Sequence, residues 1–118
     1  MIGAGDRSSQ VFFIDFRLTW LFCNPATHEY ITQAKGLDIT GTACYSSINS
    51  HLGVTQSRHD DLELLAYVIV YLVKGWLPWQ GIAIHPSQVH QDEVLRLKQV
   101  TMAKTLYKGL PQPFIKFI

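Results

Sequence analysis

The sequence predicts a mainly α-helical domain with one short β-strand or hairpin, a long irregular segment and a central buried helix. Three observations carry this. Residues 11–14, Val-Phe-Phe-Ile, are an apolar run that suits a short strand buried on both faces. Residues 16–57 carry turn residues throughout and keep no helical or alternating period. Residues 60–74 then supply apolar side chains almost all the way round a helix.

Taken in order, the strand is expected over about Gln10 to Ile14, with Asp15 where it would leave the core. On local evidence Asp15 is a polar residue ending that strand. The irregular segment turns at Asn24-Pro25, Lys35-Gly36 and Thr40-Gly41-Thr42. Unstructured stretches of this length inside small domains are uncommon and usually functional or disordered. Ser57 with Asp60 three positions on predicts a helix start, and Gly75 predicts its stop. The central helix is therefore expected from about Asp60 to Lys74, in the middle of a core. Pro78 breaks the chain after it, with Trp76 and Trp79 as large anchors. A second helix is expected over about Ser87 to Lys98 and a short third over Met102 to Tyr107, ended by Lys108-Gly109. The tail LPQPFIKFI carries two prolines and stops while still apolar.

A chain of 118 residues is enough for one domain, and its formal charge of +1 is scattered. No basic stripe marks a nucleic-acid surface. The longest apolar stretch, 64–73, is about half the length needed to cross a bilayer, and residues 1–10 lack a signal-peptide core. A soluble protein of the cytoplasm or nucleus is expected, with no nucleic-acid or membrane partner. Cys23 and Cys44 fall in no zinc pattern, and a reducing compartment is the simpler inference.

Local motifs for chemistry are weak. Gly3-Ala4-Gly5 is followed by Ser8 and a strand, where a phosphate loop needs a third glycine and a helix. His28, His51, His59, His85 and His90 form no i,i+4 pair of histidines, so surface or capping roles outweigh metal binding. Asp60-Asp61 reads as a charge pair favoured by the helix dipole.

The segments VFFIDFRLTW, NPATHEYI, ITGTACYSSINSHLG, QSRHDDLELLAY and KGWLPWQG occur in the order and near the spacing of one family. The chain resembles the C-terminal lobe of a casein kinase I type serine/threonine protein kinase, from just before the D-F-G position to past the helix after LPWQG. Ser47-Ile48-Asn49 stands where that family has S-I-N in place of the usual kinase A-P-E. The resemblance implies one partial kinase domain over residues 1–118, with the long loop as activation segment. It implies that Asp15 is the magnesium-holding aspartate of D-F-G, with Mg-ATP as the family's cofactor. It also implies that Thr42 helps order the catalytic loop, that Tyr45 and Ser47 lie at the substrate-facing turn, and that Asp61 is the buried tether of that loop.

Departures from the family pattern weigh against activity. Arg17 replaces the glycine of D-F-G and puts a bulky cation beside the metal position. Cys44 replaces an arginine of the family's anion pocket, and a basic residue beyond LPWQG is His90. Leu64 and Ala66 replace two small residues of the central helix, where overfilling disturbs packing. The glycine-rich loop, strand lysine and H-R-D loop occur nowhere in the 118 residues. The expectation is a chain that does not transfer phosphate alone and binds no cofactor tightly, a lone carboxylate being a poor magnesium site. A fragment of a longer active kinase ranks second and an adapted binding module third. The family helix that packs on the central helix is also missing from the pattern, so one face of Leu62 to Val73 is expected to lie exposed and to offer a protein or peptide partner a surface.

Overall fold

The longest helix begins where the sequence says it should. Ser57 is the N-cap, and the Asp60 carboxylate reaches back to accept from its backbone N–H at 2.7 Å and its hydroxyl at 3.0 Å. In the computed structural model, which describes residues 1–82 and 87–117, the chain is mainly helical. Helix α1 spans Ile48–His51, α2 Arg58–Lys74, α3 Gln88–Val100, α4 Ala103–Leu106 and α5 Gln112–Phe117. His85 lies outside the described residues. Helix α2 ends at Gly75, whose φ of 78° is left-handed and suits a residue without Cβ.

The buried face of α2 is set by its polar residues as much as by its apolar ones. Asp60, Ala66, Tyr67 and Val70 are buried and Glu63 and Lys74 half-buried, tracing a stripe at three- and four-residue spacing. The stripe starts with acids at the helix N-terminus and ends with a base at its C-terminus, the order the macrodipole favours. The ammonium of Lys74 donates to the Leu106 carbonyl at 2.6 Å and so pins α4 to the end of α2.

The core gathers beside this stripe: Cys44, Tyr67, Val70, Leu77, Trp79, Val94, Leu106 and Leu110. Trp79 is fully buried, with its ring edge-on to Tyr67 at 5.0 Å. The indole N–H donates to the Cys44 carbonyl at 2.7 Å and anchors the loop before α1. Helix α3 presents Val94, Leu97 and Lys98 on one face, and α1 packs against both α2 and α3.

Three expectations are corrected. Residues 10–14 form no buried strand: Val11 makes only an isolated antiparallel bridge with Ile2, and Phe13 is 87 % exposed. An apolar run needs a second layer to bury it, and among the described residues no element covers this one. Trp76 is exposed, so only Trp79 of the expected pair is an anchor. The central helix is not surrounded; Leu62, Leu64, Leu65, Leu72 and Val73 face outward. The tail, left without an element by the sequence reading, forms α5.

The segment before α1 is held by turns. Its links to the rest include Leu37 N to Gly53 O at 3.0 Å, Thr55 N to Ala34 O at 3.0 Å and the Arg58 guanidinium to the Tyr30 hydroxyl at 3.2 Å. Gly53 has a φ of 65°, and a Cβ there would stand 2.8 Å from the Leu37 carbonyl oxygen. The close approach that joins the loop to α1 therefore needs glycine.

Candidate functional site

The expected metal ligand is already occupied by a neighbour. Asp15 has a left-handed φ of 62°, a strained conformation for a residue with a side chain. Its two carboxylate oxygens each accept from the Arg17 guanidinium at 2.7 Å. This fork-like pairing is the strong geometry of arginine with a carboxylate. The Arg17 hydrogen bonds hold the Asp15 carboxyl below its ordinary range. The pair is solvent-exposed and far from enclosing a metal.

The residues of the expected substrate-facing turn are scattered in role. The carbonyl of Thr42 accepts from the N–H of Tyr45 at 2.9 Å and of Ser46 at 3.1 Å, closing a tight turn, while its side chain is exposed. Tyr45 is half-buried and packs edge-on against Tyr71 at 5.8 Å. Ser47 does not face outward at all. It is buried, and its hydroxyl caps α1 by accepting from Ser50 N at 3.1 Å. Asp61, expected as the buried tether, is exposed; its neighbour Asp60 takes the buried position. The capping geometry decides this, because only the residue three after Ser57 reaches back to it.

Two polar centres flank α1. In the first, Lys98 is 4 % exposed. Its ammonium donates to the carbonyls of Ala43, at 3.0 Å, and Ser46, and it stands 3.2 Å from His51 Nε2. It also lies 5.0 Å from the Tyr67 ring centre and 5.3 Å from that of Trp79. Burial pushes its pKa down to about 8, with Cys44 and Glu63 pulling the other way. Burial, then Lys98, also lower the pKa of His51, so the imidazole stays neutral beside the ammonium. His51 Nε2 also lies 3.1 Å from the Ala43 carbonyl oxygen, and its Nδ1 is buried without a partner.

The second centre is the first turns of α2. Glu63 Oε1 accepts from Ile48 N at 3.1 Å and from the Tyr67 hydroxyl at 2.5 Å. Burial opposes the charge on Asp60, but the Ser57 N–H and then the Ser47, Ser57 and Asn49 side chains outweigh it and lower the pKa. One donor atom each from His59, Asp60 and Glu63 lie within 4.8 Å of one another. A cleft of about 420 Å³ opens beside them, lined by Phe22, Tyr30, Asn49, Gln56, His59 and Asp60 among others. The sequence reading missed both centres. It sought pairs of histidines, whereas the helical i,i+4 pair is His59 with Glu63, and nothing local marks Lys98 as buried.

No family model matches the sequence. No described helix is long and apolar enough to cross a membrane.

Proposed function

We propose that the chain is a casein kinase I type C-terminal lobe that transfers no phosphate by itself. The observation that carries this reading is the Asp15–Arg17 pair: both oxygens that would hold magnesium in the family accept from arginine. The motif order described above supplies the family, and the 118 residues contain no catalytic loop to accept a substrate proton. Purified chain given labelled Mg-ATP and casein is expected to leave the casein unlabelled, and Arg17→Gly is expected not to restore transfer. Labelling above a no-protein control would overturn the reading. The intact mass in its own cells, against 13.4 kDa for this sequence, tests whether the lobe works alone or within a longer kinase.

A second reading is a protein-interaction module, favoured by one feature of α2. Leu62, Leu65, Ile69 and Leu72 repeat at three and four residues on the outer side, all exposed except Ile69, which is half-buried. That is the spacing of a helix-packing seam. Substituting Leu65 and Leu72 together by Glu is expected to abolish a protein complex formed through it while leaving the fold intact. A complex that survived the pair would place binding elsewhere.

A further inference from the structure

We propose that the first turns of α2 form a three-donor site for a zinc-class divalent ion, built from His59, Asp60 Oδ1 and Glu63 and open toward the neighbouring cleft. The spacing brings the donors together: His59 and Glu63 are one helical turn apart at i,i+4, and Asp60 precedes Glu63 by three. One nitrogen of His59 and one carboxylate oxygen each of Asp60 and Glu63 lie within 4.8 Å of one another. Zinc bonds of about 2.0–2.2 Å draw donors somewhat closer than that. The exposed His59 imidazole is free to swing and make up the difference.

Each carboxylate is already held in the way a ligand needs. Asp60 uses Oδ2 to accept from Ser57, and Glu63 uses Oε1 to accept from Ile48 and Tyr67. These donors fix the carboxylate planes as partners behind a metal ligand do. The remaining Asp60 oxygen, Oδ1, belongs to a side chain only 2 % exposed and has no hydrogen-bond partner of good geometry. The Ser47 and Asn49 side chains hydrogen-bond the Asp60 carboxylate and favour its charge, without closing a well-formed bond on Oδ1. A buried, ionised oxygen without a donor costs free energy that a cation would offset.

Charge sets two carboxylates against about half a unit of positive charge at the helix N-terminus and the Arg58 guanidinium on the cleft wall, and the Lys98 ammonium also acts on Glu63. An imidazole among the donors selects zinc-class ions over magnesium, which prefers oxygen and water. His59 and Asp60 both line the cleft, so the fourth position faces a space of about 420 Å³. Three protein ligands with one open position is the pattern of sites that bind water or a further ligand.

The test is zinc titration of the full chain, stripped with chelator, against a chromophoric competitor at neutral pH. One zinc per chain is expected, raising the thermal midpoint, and millimolar magnesium should not displace it. His59→Ala, at an exposed position, is expected to weaken binding by about tenfold or more while the metal-free midpoint and helical circular dichroism stay unchanged. Glu63→Gln should weaken it too. Failure of the unaltered chain to take up zinc would overturn the proposal. Equal uptake by His59→Ala would do the same, by moving the ion to Cys23 or another histidine. Neither outcome bears on phosphate transfer.

Discussion

Lys98 shows how one residue can couple stability to pH. Its pKa near 8, below the ordinary 10.5, means that between those values the unfolded chain holds a proton the folded chain has released. Stability therefore rises as pH rises through that window. The gap corresponds to roughly 3 kcal/mol in full. Cys44 opposes it above about pH 9, because burial raises its thiol pKa, and the raised pKa values of Tyr45, Tyr67 and Tyr107 oppose it above about pH 10. The clean interval is pH 8 to 9. Urea unfolding is expected to show stability increasing across it, and Lys98→Met is expected to remove the slope. On the acid side the lowered pKa of His51 makes stability fall as pH drops below 6.5. Trp79→Phe tests the other buried donor. It leaves the Cys44 carbonyl without its partner and should cost about 1–3 kcal/mol, read from the same urea curves.

Helix α2 is the element most legible in the sequence and also the one most misjudged. Its start, stop and length follow from Ser57, Asp60 and Gly75, because capping is local chemistry written in adjacent residues. Gly75→Ala is expected to cost about 1 kcal/mol, the penalty for a side chain in a left-handed position. Which face it buries was not legible. Leucines point outward and Asp60, Glu63 and Lys74 point inward, and only the packing of α1, α3 and α4 decides that. Asp61 is the buried aspartate only by family resemblance, and the capping box with Ser57 buries Asp60 in its place; the strand expected over residues 10–14 lacks a covering layer among the described residues. Replacing Leu65 and Leu72 by Glu should change stability by no more than about 0.5 kcal/mol, measured by thermal melting. A large loss would mean that this face is covered in the isolated chain.

At the scale of the whole molecule, burial is uneven. Among the described residues every core residue lies at or after Cys44, whereas almost all of residues 1–40 are exposed, including Trp20 at 81 %. The mainly helical class was legible from the helix start at Ser57 and Asp60, the stop at Gly75 and the apolar residues interspersed with polar ones over 88–100. The path of the first forty residues was not, since their turns say where the chain bends and not what it bends against.

That unevenness sets the order in which a protease would consume the chain. Cleavage needs a stretch of backbone to open into the enzyme, and segments with few buried contacts open at the least free-energy cost. Arg7 and Arg17 lie in exposed single turns, whereas Lys35 is bridged to Val54 and Lys98 is sealed against two carbonyls and two rings. Brief trypsin treatment should therefore trim the chain from its front first and leave a more resistant piece that begins near Leu18 and retains Trp79 fluorescence.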